Sequence, residues 1–441
     1  MRRRAVGVVA GCTLLACALL LVTGNPALAA ERLRLEIWGN TNHLDALKPL
    51  IEEYNASQER IEVVIPGKTE NPDVVLAAAL AGQLPDILES GRVWNNQYYP
   101  EGLMIDLEGF IAREGSGFLD DWIPYTLWTD NAVDGRLVSL PFRLEIFGMH
   151  YNETLFAQAG LPEPPIGWTW ADVEDYARKV RRVGSDGRME VWGVVAEHPL
   201  SFDYPLMGQA GGPAAPSGVL VDAEFQPLVN SAHVRETYDW ILSMVGSGLL
   251  GYGYANIHPG ANDARMHNAG MLQSGPQREQ LIMSSGSALK PAPPLRARRD
   301  TKAAATYADR SLAIMNVSPE RQEAAWEVIK WLFQPEVQAR WNLAMGTAPA
   351  TISALNHPVY RDEAQPNILR WAELYAGELE VQNAIPWPMP VWVTGLPNEA
   401  YNFSARLIRG EIGLEEYVTE FGRTVRTHMA ELMERLGSRG Q

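Results

Sequence analysis

The stretch that most constrains this 441-residue chain runs from Leu140 to Val180. Its first part, Leu144 to Tyr151, is apolar and rich in residues that suit a buried strand. Asn152-Glu153-Thr154 then offers helix-capping chemistry before the short amphipathic run Leu155-Phe156-Ala157-Gln158-Ala159, which Gly160 stops. Pro162, Pro164 and Pro165 impose a stiff, extended connector. Trp168-Thr169-Trp170 follows, with Thr169 the expected N-cap and Asp172 in the first turn of a helix through Val180. The chain must therefore accommodate a strand, a short helix, a proline elbow and a capped helix in direct succession.

The residues before this block alternate between two periods. Leu33 to Trp38 reads as a strand, Gly39 to Asn42 as a polar loop, and His43 to Ala56 as a helix with Leu44, Leu47, Leu50, Ile51 and Tyr54 on one face. Ile61 to Ile65 is a second strand. A helix over 72–81 ends at Gly82, and Pro85-Asp86-Ile87-Leu88 begins a third strand. Strands alternating with helices predict a parallel, doubly wound sheet, whose ligands bind beyond the carboxyl ends of the strands. Asn40, Asn42, Glu89, Ser90 and Trp94 occupy such positions.

Beyond the block, Val191 to Val195 reads as a strand and His233 to Gly246 as a helix with Tyr238, Ile241, Leu242 and Val245 inward. A proline-rich loop begins at Pro291 and carries Arg296, Arg298, Arg299 and Lys302. Pro319 opens a strongly amphipathic helix. The segment 385–392 holds too many prolines for a central strand. Helices over 398–409 and 413–436 close the chain.

Several of these features together resemble the family 1 extracellular solute-binding proteins, the maltose-binding-protein-like receptors of ABC importers. The matching residues are Tyr151-Asn152, Phe156, Ala159-Gly160-Leu161, the proline pair, Trp168 or Trp170, and Asp172. Leu35 to Trp38 with its polar loop, Gly82-x-x-Pro85-Asp86-Ile87 and Tyr99-x-x-Gly102-Leu103-x-x-x-Leu107 match the family's first lobe. Gly211-Gly212 and the helix pair opening at Pro319 match further on. The resemblance implies an α/β fold of two lobes, each a mostly parallel sheet flanked by helices, with the ligand cleft between them. It places lobe I at 30–141 plus about 300–347, and lobe II at 142–299 plus about 348–441. Crossing segments are expected near 141–145, 290–305 and 345–352.

Residues 1–29 carry the marks of a cleavable signal peptide: Arg2-Arg3-Arg4, an apolar run to Val22, and Ala27-Leu28-Ala29 as the cleavage site. Lipid anchoring at Cys17 is the alternative. Cleavage removes both cysteines, so neither disulfide nor thiol chemistry is expected. Losing the three arginines takes the formal charge from −16 to −19. An acidic exported protein argues against nucleic acid and anionic headgroups, and for a soluble ligand.

No catalytic motif is apparent: there is no His-Glu-x-x-His, no Gly-x-Ser-x-Gly and no P-loop. No catalytic residue, metal or cofactor is therefore expected, and His150 reads as a packed histidine. Fourteen tryptophans are more telling, because an aromatic face suits the C–H side of a sugar ring. Trp94, Trp387 and Trp392 lie in expected cleft loops, each either a stacking platform or core. Glu145 interrupts an apolar strand at the crossing between lobes. The resemblance implies contact with sugar hydroxyls there, whereas an ion pair with Arg143 is its plainer reading. Asn40 and Asn42 are ligand contacts or turn formers. Glu89 and Ser90 follow the third strand, where the family binds ligand. The expected function is capture of a carbohydrate outside the cytoplasm by a monomer that delivers it to a membrane permease. A polyol or glycerol phosphate, for which Arg143 would supply charge, and a secreted glycan-cleaving enzyme are the alternatives.

Overall fold

A computed structural model describes residues 32–123, 126–128, 131–144, 146–211, 220–222, 226–275, 279–303, 305–307, 310–378, 384–386 and 396–439. The first strand, Leu33–Trp38, turns Leu35 and Ile37 inward, and the helix Thr41–Ser57 covers them. Leu44, Leu47, Leu50, Ile51 and Tyr54 are its buried residues, the set that the helical period selects. The helix begins two residues earlier than the expected His43, because the Asn40 side chain caps it by accepting from the Asn42 N–H at 3.0 Å.

Among the described residues two large sheets form, both mixed, beside a small antiparallel pair of Ala132–Val133 and Arg136–Leu137. In the first, Ile61–Val64, Leu33–Trp38, Ile87–Ser90, Arg310–Ile314, Ser139–Leu144 and Ala348–Pro349 lie side by side in that order. The three opening strands are parallel, as βα units require. Arg310–Ile314 and Ser139–Leu144 run antiparallel to their neighbours. The reason is topological: one strand leaves for the second sheet and the other returns from it.

The second sheet orders Leu250–Tyr252, Met189–Ala196, Ala269–Ser274, Ile146–Asn152, Ala305–Tyr307 and Ala384–Pro386, with Leu289–Pro291 also paired to Ile146–Asn152. Ser139–Leu144 therefore belongs to the first sheet and Ile146–Asn152 to the second. The chain comes back between Tyr307 and Arg310. The proline-rich strand Ala384–Pro386 takes an edge position, where a missing N–H costs no ladder bond.

The proline elbow is core. The Trp168 indole donates to the Pro293 carbonyl at 2.7 Å, and Trp170 stacks on Trp240 with centroids 4.9 Å apart. Thr169 and Asp172 form the capping box of the helix Trp170–Val180. In the helix Ala232–Gly246 the buried face is Val234, Thr237, Tyr238, Ile241 and Met244. Leu242 and Val245, expected inward, are only half-buried beside that face.

The helix Pro366–Glu378 backs the first crossing. Trp371 and Tyr375 press on Gly148, where an added Cβ would stand 2.0 Å from the Tyr375 hydroxyl and 2.8 Å from the Trp371 ring. The same helix packs with Ala339, Ala348 and Tyr360 beside the first sheet, so it touches both halves of the molecule.

Candidate functional site

The register of the two sheets decides where a ligand can sit. In the first sheet Ser90, at the carboxyl end of its strand, pairs with Ser311, which directly follows the returning crossing. In the second sheet Ser274 and Ala196 end parallel strands level with Gly148, which directly follows the outgoing crossing. Both sheets thus turn their strand carboxyl ends toward the crossings, the position that binds ligands in such folds.

On the first sheet this end is charged. Glu89 is fully buried. Its Oε2 accepts the Asn40 N–H at 2.9 Å, and its Oε1 lies 2.6 Å from His43 Nδ1. The Arg143 guanidinium donates to His43 Nε2 at 2.8 Å. Arg310 stands 3.2 Å from Glu70 and 3.8 Å from Glu89, and lies over the Trp94 ring at 4.9 Å. Burial alone would raise the Glu89 carboxyl. His43, Arg310 and Arg143 together outweigh it and hold the group below its ordinary range. Arg143 and Arg310 are direct cross-strand partners, an arrangement of like charges that needs the two carboxylates beside it.

Of the expected residues, Asn40, Glu89 and Trp94 meet in this cluster. Asn42 is exposed on the first turn of the helix nearby. Ser90 points inward, at the head of a buried polar chain. Its hydroxyl donates to Asn95, Asn95 donates to Ser139, and Ser139 donates to Asn131. Glu145, Trp387 and Trp392 lie outside the described residues.

The second sheet's end is more apolar and aromatic, with one ion pair, Glu197 to Arg265 at 3.8 Å, on the loop after Ala196. Phe147, Phe202, Leu206 and Tyr375 line a hollow of about 20 Å3, with Gln209 and Gln273 among its walls. That is room for about one water. Beside it, the loops after Ala196 and Tyr252 carry His198 and Tyr254. Tyr254, 49% exposed, meets the His198 ring at 4.3 Å and the Tyr401 ring edge-on at 5.3 Å. Burial pushes the His198 imidazole down to about 4, so it is neutral at physiological pH. These rings went unpredicted, because Tyr254 and Tyr401 are far apart in sequence and neither sits in a motif. An open depression of about 800 Å3 also lies along Arg34, Glu36, Lys68 and Arg321, and it includes none of the expected residues.

A family model described as bacterial extracellular solute-binding protein matches residues 49–367, well over half of the chain. The chain belongs to this family.

Among curated relatives of this solute-binding protein, a putative binding protein of Brucella abortus is 24% identical over 320 residues, covering 68% of this chain and 72% of its own. Among solved structures, the sugar-binding protein MalE of Xanthomonas citri superposes with a TM-score of 0.75 at 19% identity, over 92% of this chain and 99% of that one. UgpB of Mycobacterium tuberculosis, solved in complex with glycerophosphocholine, superposes at 0.73 and 16% identity, over 91% and 99%. The fold is the two-lobed one of periplasmic binding proteins.

His150, whose plainer reading was packing, is fully buried and edge-on to Trp371 at 5.1 Å. Among the described residues no group of three or more His, Cys, Asp or Glu is arranged to hold a metal ion.

Proposed function

We propose that this solute-binding protein captures a carbohydrate by closing its two lobes outside the cytoplasm and hands it to the membrane permease of an ABC importer, making and breaking no bond. The observation that carries the reading is the pairing of unlike walls. The His198–Tyr254–Tyr401 rings offer apolar area to the C–H face of a sugar. The first wall offers charged donors and acceptors to its hydroxyls. Trp94 contributes less as a platform than its position suggests, since one face carries the Arg310 guanidinium. Sheet membership supports lobes that exchange between Ser139–Leu144 and Ile146–Asn152 and again between Ala305–Tyr307 and Arg310–Ile314.

The cross-strand pair Arg143 and Arg310 favours a second ligand of the same site, a polyol bearing a phosphate. UgpB, one of the structural neighbours, was solved with a phosphodiester of glycerol. A thermal-shift panel of maltotriose, glycerol, sn-glycerol 3-phosphate and glycerophosphocholine separates the two. The true ligand stabilises by about 2.7 kcal/mol at a hundredfold excess over Kd, and small-angle scattering should record compaction. A panel in which nothing both stabilises and compacts the protein overturns the capture reading. Turnover of a chromogenic glycoside would replace it with an enzyme. The leader reading is checked by the intact mass of the exported protein, expected to begin at Ala30 without lipid.

A further inference from the structure

Three ionisable side chains from three elements stand in line where the first sheet meets the crossings. Glu89 lies near the end of Ile87–Ser90, His43 in the first turn of Thr41–Ser57, and Arg143 near the end of Ser139–Leu144. Glu89 Oε1 is 2.6 Å from His43 Nδ1, and His43 Nε2 is 2.8 Å from Arg143 Nη1. A guanidinium can only donate, so Nε2 is the acceptor and the ring proton sits on Nδ1, donated to the carboxylate. The geometry therefore fixes the His43 tautomer.

Glu89 itself has no surface to offer a ligand, being fully buried with its Oε2 on the Asn40 N–H. Its approach is built into the backbone. A Cβ on Gly39 would stand 2.4 Å from Glu89 Cβ and 2.6 Å from Oε2, so glycine is needed there for the carboxylate to enter. Arg143 is nearly as buried, at 5% exposure, but it lies in the strand that crosses to the second lobe.

We propose that Glu89 is a positioning residue: through His43 it orients the Arg143 guanidinium at the crossing, and Arg143 rather than Glu89 meets the ligand. The inference rests on the reading of this cleft as the ligand site. Glu89 then acts on affinity only by way of Arg143, and the relay exists in the empty protein.

Nitrogen-15 NMR of the ligand-free protein tests the relay first. The expected result is a His43 ring proton on Nδ1 and a slowly rotating Arg143 guanidinium. Glu89→Gln and His43→Phe, the second leaving Glu89 in place, should each speed that rotation. A proton on Nε2, or an Arg143 rotation unchanged in His43→Phe, overturns the proposal. The second measurement is calorimetric titration with maltotriose and with sn-glycerol 3-phosphate. Glu89→Gln should weaken whichever probe binds by about tenfold, with no added loss in Glu89→Gln/Arg143→Gln over Arg143→Gln alone. Additive losses would mean that Glu89 touches the ligand itself, and the proposal falls. If neither probe binds, it is the ligand class of the preceding section that fails, and the NMR result still decides the relay.

Discussion

Glu89 beside the crossings and Asp203 in the second lobe are both completely buried, and the two sit on opposite sides of ordinary ionisation, whereas Asp86, equally buried with the single cation Arg321 on it, is raised as Asp203 is. Glu89, in the first sheet, is held below the usual range. Asp203, on the helix Pro199–Gln209 of the second lobe, is pushed up to about 8. The desolvation acting on both has the same sign, so the neighbours decide. Around Glu89 stand His43, Arg310 and Arg143. Around Asp203 stand the hydroxyls of Tyr252, which donates at 2.6 Å, and Tyr238. Hydroxyls lower a carboxyl less than burial raises it, whereas cations can overcome burial. The surroundings of Glu89 are thus built of charge, while those of Asp203 are neutral hydroxyls.

The most severe test of this contrast is Glu89→Leu. It leaves His43, Arg143 and Arg310 without their shared anion, and should cost about 3–5 kcal/mol at pH 7 by urea unfolding. Since the folded pKa is lowered, the contribution of Glu89 is present above the ordinary carboxylate range and is lost as pH falls through the folded value. The gap between wild type and variant should therefore narrow in acid. A gap that stays constant down to pH 3 would mean that Glu89 is not ionised in the folded protein.

Asp203→Asn should act in the opposite direction. With its pKa raised from 3.8 to about 8, the Asp203 contribution is full below pH 3.8 and declines until pH passes about 8. The amide removes that decline, so the variant should be more stable than wild type at pH 9, by about 1–3 kcal/mol, and nearly equal to it at pH 4. Destabilisation at pH 9 would show that the carboxylate is ionised and needed, and the contrast between the lobes would collapse.

Glycine positions separate charge from shape within the same comparison. Gly39→Ala keeps every ionisable group but drives a methyl against Glu89 Cβ and Oε2. A loss of about 1–2 kcal/mol is expected from overpacking, together with release of the Asn40 N–H, visible as faster amide exchange there. Full protection of that amide in the variant would mean that the loop shifts freely and that Gly39 is not what admits the carboxylate.

Local patterns made much of this fold legible. The buried face of Thr41–Ser57 follows from a 3.6 period, and the capping box at Thr169 and Asp172 follows from residue types three apart. Asn40 and Glu89 were placed at strand ends by the alternation of strand and helix alone. The mixed character of both sheets was not visible, because the antiparallel strands are those that leave for one sheet and return from the other. Which residues of Ser139–Leu144 and Arg310–Ile314 stand opposite each other is a register that neither segment encodes. Hence Arg143 and Arg310 could not be seen as a pair, nor Arg310 as a partner of Glu89. The ring cluster of lobe II escaped for a similar reason, since Tyr254 and Tyr401 come together only through the packing of distant elements.

The smallest expected effect asks whether lobe I needs the number of its cations or their shape. Arg310→Lys keeps a positive charge near Glu70 and Glu89 but loses the planar fork and its stacking on Trp94. If charge count is what holds Glu89 ionised, stability should fall by only about 0.5–1 kcal/mol, the worth of a partly exposed cation–π contact. The acid dependence of unfolding should then overlay that of wild type. Ligand binding refines the answer. A phosphate accepts a point charge from lysine, so affinity for sn-glycerol 3-phosphate should drop less than affinity for a neutral sugar whose hydroxyls need the directed guanidinium donors. Equal losses for both would separate Arg310 from ligand recognition and leave it to balance Glu70 and Glu89. A loss well above 1 kcal/mol with a shifted acid transition would instead make geometry, not charge count, the property that distinguishes the wall of lobe I from the neutral interior around Asp203.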